Sequence, residues 1–434
     1  MLSLLTNLAL VLLPITLLQV ALVLTLLLDV NMLFLVAAAP IGVPDLSQCG
    51  LASDVAAKGD PTVYYFNCCI PYVPPEKFVE FSADAYRTPK TRVRRPAHRV
   101  SENYIAKYNK AYALMKALPD TDPRSLKVQA DLHCAFCNGA YKQGGSPLQV
   151  HFSWLFLPWH RLYIYFHERI LASLIGDPSF ALVYWNWDDQ RDGGNVLPPM
   201  FDRNGTALYD TKRNVNHSGS ALVRLSTGSS TENKSVIASE NLNVMYQAMV
   251  TARSSDLFLG GPYRLGSDLS NSTVLSAPLG GSIENTIHNS VHYWTGTGTS
   301  LPLGQDMGSF VTAGRDPVFY SHHTNVDRLW EMWRFHLPRG PRYDTNDTDF
   351  LDTEFAFYDE HANLVKVKVR DSLDTGNLGY KYKRVSSDKL WIRFKPLPIS
   401  NGSALPAAKA SGVPFVGPSP LNGTIDLGTK LLAR

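Results

Sequence analysis

The longest apolar stretch of the chain is its N-terminus, where the first 28 residues carry no charge and are mostly Leu and Val. This stretch exceeds the roughly 7 to 15 apolar residues typical of a signal peptide and matches the roughly 20 needed to span a membrane. Small residues at 37–39, before Pro40, are typical of a cleavage site. Residues 1–39 are therefore predicted to be either a removed signal or a retained anchor, which would attach the chain to a membrane through residues 1–28.

Helical periodicity of apolar positions recurs along the middle of the chain. Apolar residues return at spacings of three and four over residues 102–118, and an aromatic-rich pattern of the same kind covers residues 150–175. Further helices are predicted at residues 242–252, 282–293 and 316–336, the last opened by the cap-like pair Asp316-Pro317. Residues 190–282 are rich in Gly, Ser, Asn and Thr, which predicts long surface loops around the helix near 242.

The pattern changes beyond Pro341. Residues 353–358 and 363–369 alternate apolar and polar positions with period two, which is typical of strands. After Lys395 the chain is rich in Pro, Ala, Gly and Ser, so we expect a poorly ordered tail over residues 396–434.

Composition indicates a globular chain with one large core and a small accessory unit, because 434 residues include 45% hydrophobic and 18% charged ones. The formal charge of +3 leaves no dominant electrostatic field. The run at residues 90–99 is the only basic cluster, and we interpret it as a surface or ion-paired segment. No nucleic-acid partner is therefore predicted.

Cysteine positions bear on the compartment. All five cysteines lie in the N-terminal third, at Cys49, Cys68, Cys69, Cys134 and Cys137. An oxidising lumen would favour two disulfides and leave one cysteine over. Seven N-x-Ser/Thr sequons are compatible with glycosylation in the secretory route; they begin at Asn204, Asn216, Asn233, Asn271, Asn346, Asn401 and Asn422.

Six of the twelve histidines fall into two groups that have the spacing of metal ligands. The first group is His133, His151 and His160, the last two on or beside the aromatic helix. The second is His288 and His292, which share a helix face at a spacing of four, with His323 from the next helix.

Each group offers three imidazoles without an obvious Cys, Asp or Glu. A lone histidine pair would more often be a structural pair. Three imidazoles per ion suit copper or zinc, and a single zinc hydrolase site would need one trio only. The duplication of the trio favours a pair of copper ions that handles O2.

Four segments carry a family resemblance: H-C-A-F-C-N-G-A-Y (133–141), L-Q-V-H-F-S-W-L-F-L-P-W-H-R (148–161), H-N-S-V-H-Y-W-T-G (288–296) and A-G-R-D-P-V-F-Y-S-H-H-T-N-V-D-R-L-W (313–330). They resemble the copper-A and copper-B regions of plant polyphenol oxidases, the tyrosinase and catechol oxidase family. The resemblance covers roughly residues 40–395. It implies a mainly α fold, with a four-helix-bundle copper core, long loops, a few short strands and a small C-terminal β segment.

The resemblance implies two copper ions, one held by His133, His151 and His160 and the other by His288, His292 and His323. The neighbouring His322 is interpreted as a residue that packs against or hydrogen-bonds the site. The five remaining histidines are interpreted as structural: His98, His167, His217, His336 and His361.

The same resemblance gives every cysteine a role. It implies a thioether between Cys137 and His151, which would restrict rotation of that imidazole. It also implies the disulfides Cys49 to Cys69 and Cys68 to Cys134.

Three further residues match family positions near the substrate. Phe310 resembles the bulky gate residue over copper A. Glu284, four residues before His288, and Asn289 resemble the pair that holds a water able to draw a proton from a bound phenol. Plausible pocket aromatics are Trp154, Phe156, Trp159 and Phe310, although such helical residues are more often core.

Relatives usually continue past a D-W-L segment into a C-terminal domain that shields the site. Here Asp349-Phe350-Leu351 stands at the expected place, and Tyr380-Lys381-Tyr382 closes the catalytic core. The predicted organisation is a catalytic domain over residues 40–345, a D-W-L-like linker over 346–395 and then the tail. We expect that the shielding domain is missing, which would leave the enzyme unlatched or its folding impaired.

The resemblance implies oxidation of o-diphenols to o-quinones by O2, with hydroxylation of monophenols left open. The partners would be phenolic small molecules and O2, with the oligomeric state undetermined. Alternatives are a catalytically impaired family member and, ranked lower, an O2 carrier of the hemocyanin kind. Because an Arg- and Ser-rich transit peptide is not evident, a vacuolar or extracellular lumen is preferred to the chloroplast thylakoid lumen.

Overall fold

The computed structural model of the protein describes residues 39–55, 63–88, 90–226, 232–267, 280–296 and 304–396. The apolar N-terminus up to residue 38 and the tail from residue 397 lie outside these residues, so the predictions about a signal, an anchor and a disordered tail remain predictions. Within the described part of the chain, no helix is long and apolar enough to cross a membrane.

The described residues fold mainly as α-helices. The helices are α1 (Glu102–Ala117), α2 (Leu126–Cys137), α3 (Phe156–Leu174), α4 (Lys234–Met245), α5 (Ser255–Leu259), α6 (Asn289–Thr295), α7 (Pro317–Phe335), α8 (Thr348–Asp352), α9 (Val369–Ser372) and α10 (Asp388–Ile392). Two π-helical turns extend this set, Tyr246–Thr251 after α4 and Ile283–His288 before α6. Helix α3 packs against α7 and α1, and α1 packs against α2.

The described residues also contain ten short strands, which lie around the helices. They are β1 (Ala52–Val55), β2 (Val63–Phe66), β3 (Val79–Glu80), β4 (Arg92–Pro96), β5 (Lys142–Gln143), β6 (Ser146–Pro147), β7 (Val183–Tyr184), β8 (Glu354–Tyr358), β9 (Leu364–Lys368) and β10 (Tyr380–Tyr382). Two three-stranded sheets have the orders β10-β4-β7 and β3-β9-β8, and two hairpins are β1-β2 and β5-β6. The mainly α fold with few strands that the resemblance implied is therefore confirmed.

Side-chain caps define where several helices begin. Ser101 caps α1, Ser125 caps α2 and Asp316 caps α7, each by accepting a hydrogen bond from a first-turn backbone N–H. Pro317 follows Asp316 at the first position of α7, where a missing N–H is tolerated. The predicted start of α7 is confirmed.

Two predicted helix boundaries were wrong, and one helix was not predicted. Helix α3 begins at Phe156 and not at residue 150, because Phe152 adopts φ +61° and forces a turn that a helix cannot contain. Helix α4 begins at Lys234, eight residues early, since Asn233 caps it there. Helix α2 was missed entirely: eleven of its twelve residues are buried, so it shows no polar face to reveal helical periodicity.

Within the basic run of residues 90–99, β4 places Arg92 and Arg94 in the core, where both are ion-paired. Arg94 binds Glu168 on α3 at 2.9 Å and Asp327 on α7 at 3.2 Å. Asp327 also accepts hydrogen bonds from the hydroxyls of Tyr380 and Tyr382 on β10. These contacts connect the C-terminal β segment to two helices that carry candidate metal ligands.

Candidate metal centre

Four potential ligands come together on one side of the helical core. They are His133 and Cys137 from α2, His151 from the turn before α3, and His160 from α3. One ligand atom from each lies within 4.8 Å of the others, and all four residues are buried. The missed helix α2 thus supplies two members of this first cluster.

A second group forms opposite the first. His288 and His292 lie at the junction of the π-turn and α6, and His322 and His323 lie on α7. Their ligand atoms also lie within 4.8 Å of one another, and all are buried. The spacing of four places the first two on one side of their helix, as expected from the sequence.

The two clusters face each other closely. The rings of His160 and His323 are stacked with centroids 4.3 Å apart, and the rings of His151 and His288 are 6.2 Å apart. Ions held in the two clusters would therefore be neighbours, which is the arrangement of a binuclear centre.

Protein oxygens fix the orientation of five of the six predicted ligands through Nδ1. The acceptors are backbone carbonyls for three of them, Phe310 for His133 (2.9 Å), Phe156 for His160 (2.8 Å) and Met307 for His292 (2.5 Å). Side-chain amide oxygens serve the other two, Gln149 for His151 (3.2 Å) and Asn289 for His288 (2.9 Å). An Nδ1–H that donates leaves the lone pair of Nε2 for a metal.

The Nε2 atoms meet this expectation. In the described part of the chain, Nε2 of His133, His151, His160 and His288 is buried without a hydrogen-bond partner. Burial lowers the pKa of His133 to about 3 and that of His292 to about 4, and it lowers the pKa of the other ligand histidines well below the ordinary value. Neutral imidazoles with free lone pairs fit copper.

His323 and His322 differ in what they can offer an ion. Nε2 of His323 lies 3.3 Å from Nε2 of His292. Two nitrogens bound to one ion at about 2.0–2.1 Å lie roughly 3.3 Å apart at a tetrahedral angle. Nδ1 of His322 instead accepts a hydrogen bond from Nε1–H of Trp187 at 3.1 Å. A neutral His322 then carries its hydrogen on Nε2, which leaves that atom no lone pair for a metal.

Comparison with known proteins identifies the family. Residues 123–336 match the common central domain of tyrosinase, and residues 344–397 match the polyphenol oxidase middle domain. The crystal structure of polyphenol oxidase from Vitis vinifera (Grenache) is 45% identical, with a TM-score of 0.72, and the match covers 81% of this chain and 99% of that one. The chain belongs to the plant polyphenol oxidase family.

Two curated relatives extend this polyphenol oxidase comparison. The chloroplastic polyphenol oxidase of Malus domestica is 48% identical over 83% of this chain and 58% of the relative. The chloroplastic catechol oxidase B of Solanum tuberosum is 45% identical over 85% of this chain and 60% of the relative. The chain spans about three fifths of the length of these relatives. Its tyrosinase-type domain, with two facing histidine clusters, has the donor set of the binuclear copper centre that the resemblance implied.

Two of the five cysteines, Cys134 and Cys137, lie on α2, and the other three lie in the segment before it. The structure contains the disulfides Cys49–Cys69 and Cys68–Cys134, while Cys137 is free and buried. Gln149 joins Cys137 to His151: its Nε2 donates to the Cys137 carbonyl at 2.5 Å and its Oε1 faces the His151 ring. Sequence analysis missed Gln149. It could have been noticed as a polar residue between the apolar Leu148 and Val150.

The residues predicted near the substrate lie around these clusters. The Phe310 ring lies 4.4 Å from the ring of His151. Glu284 is fully buried; its Oε1 accepts from the Phe152 backbone N–H at 2.7 Å, and its Oε2 has no partner among the described residues. Burial raises the pKa of Glu284 well above its usual range. Oδ1 of Asn289 lies 2.9 Å from Nδ1 of His288.

The predicted pocket aromatics have different surroundings. The Phe156 ring lies 4.6 Å from His288, and the Trp159 ring lies 4.9 Å from His160. Both are buried and pack on the ligands. Trp154 packs against Phe350 of the linker, 5.4 Å away.

Proposed function

We propose that this chain oxidises o-diphenols to o-quinones with O2. Two diphenols and one O2 give two quinones and two waters. The observation that supports this most is the pair of facing imidazole clusters with bare Nε2 atoms. When bound, the copper pair supplies O2 binding and electron transfer between the diphenol and O2.

We propose that His133, His151 and His160 hold one copper and His288, His292 and His323 the other. The carbonyl and amide oxygens on Nδ1 keep each imidazole oriented. Burial keeps the imidazoles neutral, so they need not lose protons when metal binds.

A thioether between Cys137 and His151 belongs to the same proposal. Their ligand atoms lie within 4.8 Å, and Gln149 holds the backbone of one and the ring of the other. Such a bond would hold the imidazole in one orientation.

We propose that Phe310 shapes the entrance on the side of the first cluster and that Glu284 and Asn289 act on the substrate hydroxyl. Burial raises the pKa of Glu284, so its carboxylate holds a proton more tightly than an exposed glutamate does. With a water on its unpartnered Oε2 and on the Asn289 amide, Glu284 would take the proton of a bound phenol. Monophenols need this step more than catechols do.

The test combines copper content with oxygen uptake. Purified protein is expected to hold two coppers per chain and to take up O2 with a catechol. Fewer than two coppers, or no uptake by fully loaded protein, would contradict the proposal.

Glu284→Gln preserves the hydrogen bond from Phe152 but cannot take a proton, so it should lose O2 uptake with a monophenol and keep O2 uptake with a catechol. Equal losses on both substrates would count against the role of Glu284.

For the compartment, we propose the chloroplast, with an oxidising lumen as the finer expectation. Both curated relatives described above are named chloroplastic, which favours this alternative over the vacuolar or extracellular lumen predicted from sequence. The two disulfides support an oxidising environment. Fluorescence of the full chain tagged at its C-terminus, observed in leaf cells, tests this: signal outside chloroplasts would contradict it. N-terminal sequencing of the purified protein would decide between a cleaved segment and an anchor.

A further inference from the structure

His167 on α3 is a buried titratable residue that the proposed copper chemistry does not use. Its Nε2 lies 3.0 Å from the hydroxyl of Tyr112 on α1. Its Nδ1 has no hydrogen-bond partner among the described residues. A phenylalanine would fill this apolar position without an unsatisfied nitrogen, so the imidazole itself calls for an explanation.

Burial lowers the pKa of His167 well below its ordinary value. The ring is therefore neutral, and one nitrogen has a lone pair. The Tyr112 hydroxyl donates to Nε2 when the imidazole hydrogen is on Nδ1. The phenol then has a base at hydrogen-bonding distance, inside the core and away from water.

Aromatic rings lead from this pair to the first histidine cluster. His167 stacks on Tyr320 with centroids 3.5 Å apart and planes within 6°. Tyr320 faces Tyr163, with hydroxyl oxygens 3.0 Å apart and ring centroids 5.6 Å apart. Tyr163 in turn stacks on His133, 6.1 Å away. Every member of this series is buried.

The same series continues in the other direction, toward the protein surface. Tyr112 stacks on Tyr108 at 5.4 Å, and Tyr108 contacts Phe180 at the same separation. Phe180 stacks on Tyr104 at 6.0 Å, and Tyr104 is only partly buried. Short gaps between aromatic rings, most of them tyrosines, thus connect the candidate metal centre with solvent, and Phe180 bridges Tyr108 and Tyr104.

The tyrosines of this series differ in their access to a base. The hydroxyls of Tyr163 and Tyr320 can donate to the backbone carbonyls of Gln129 and Gly314, which are very weak bases. The hydroxyl of Tyr112 instead has the imidazole of His167 as its hydrogen-bond partner. A phenol that loses an electron becomes a strong acid, so oxidation is easiest where its proton has a place to go.

We propose that Tyr112 and His167 form a proton-coupled redox pair that removes a stray oxidising equivalent from the metal centre when no phenol is bound there. The proposal rests on the proposed copper function, which supplies the oxidant. It assigns a protective role to residues outside the substrate site.

The step balances as one electron and one proton. Tyr112 loses an electron, which passes through Tyr320 and Tyr163 to the oxidised centre at His133, and its hydroxyl proton moves to Nε2 of His167. The centre is reduced by one electron, and Tyr112 becomes a neutral radical. A catechol at the surface near Tyr104 returns one electron through Phe180 and Tyr108, becomes a semiquinone and releases its own proton to solvent. The proton on His167 moves back to the phenolate oxygen of Tyr112.

The test is freeze-quench electron paramagnetic resonance on the full copper-loaded chain, oxidised with hydrogen peroxide without any phenol. Wild type should show a tyrosyl radical, Tyr112→Phe should lose it, and His167→Gln should reduce its yield several-fold. Tyr184→Phe is the matched control, because Tyr184 is equally buried but donates to the Lys383 carbonyl and lies outside the series. That variant should keep the full signal.

A separate portion of each sample is first shown to take up O2 with catechol. This assay separates the proposed redox pair from the copper function on which it rests. Absence of uptake in wild type would overturn the proposed function. Normal uptake with no tyrosyl radical, or with equal radical yield in wild type and Tyr112→Phe, would overturn the redox pair.

Under repeated turnover, Tyr112→Phe should have a normal initial rate but inactivate after several-fold fewer turnovers, with more oxidised His133 and Trp159 in peptide mass spectra. Unchanged survival would also overturn it.

Discussion

The indole N–H of Trp187 donates to Nδ1 of His322 over 3.1 Å, and this contact distinguishes two adjacent histidines that lie in the same cluster. Because it fixes the hydrogen of His322 on Nε2, we expect His323 and not His322 to bind metal. His323→Gln should therefore retain about one copper per chain, whereas the matched substitution His322→Gln should retain two. Metal analysis after dialysis measures both. The reverse pattern would show that the tautomer inferred here is wrong.

A second prediction concerns Cys137. If it is bonded to His151, digestion under reducing conditions should give one joined peptide that is two hydrogens lighter than its parts. The disulfide Cys49–Cys69 is the internal control, since reduction should separate its peptides. Cys137→Ala should lower copper affinity at the first cluster by about 10–100-fold, the usual effect of removing a group that orients a ligand. Recovery of separate peptides from copper-loaded protein would refute the thioether.

Asp327 tests how the linker is held to the copper-binding helices. Its carboxylate contacts the buried Arg94 and Arg161 and accepts from the buried Tyr380 and the partly buried Tyr382. Asp327→Asn leaves the buried guanidinium of Arg161 without a counter-charge, while Arg94 keeps Glu168, and should lower the free energy of unfolding by about 3–5 kcal/mol. The exposed pair of Asp84 with Arg87 provides the control, for which Asp84→Asn should change stability by less than about 1 kcal/mol. Urea unfolding measures both, and equal effects would contradict the argument.

Much of the metal centre was predictable because histidine spacing and local motifs carry it. The i, i+4 pair His288 and His292 needs only helical geometry to converge. Three features depended on packing between distant segments and could not be predicted. Helix α2 is buried on all sides, so the polarity pattern that marks a surface helix is absent. The carbonyl of Phe310 reaches His133 across 177 positions, and Trp187 reaches His322 across 135. Backbone acceptors such as Met307 carry no side-chain signal at all.

The loop that carries Met307 and Phe310 also contains Asp306, a partly buried acid that is paired with the partly buried Asp210 of a distant loop. The carboxyl groups of Asp306 and Asp210 face each other, and Asp210 Oδ2 has no donor among the described residues, so the pair needs a proton. Burial is the main cause that raises the pKa of Asp306 to about 8. The charges of Asp210 and Asp316 raise it further, while Arg315 lowers it. Burial also raises the pKa of Asp210.

The consequence is a stability that declines with rising pH. The folded chain keeps a proton on Asp306 that the unfolded chain releases above about pH 4. The contribution of Asp306 to the free energy of unfolding is therefore full below that pH and is lost as the pH rises through about 8. Asp306→Asn removes the ionisation and can donate its amide to Asp210. Relative to wild type, the variant should therefore gain a few kcal/mol of unfolding free energy between pH 5 and pH 8. Urea unfolding of metal-free protein at both pH values measures this, with the exposed Asp120→Asn as control. Parallel pH profiles for wild type and Asp306→Asn would mean that no proton is shared at this loop.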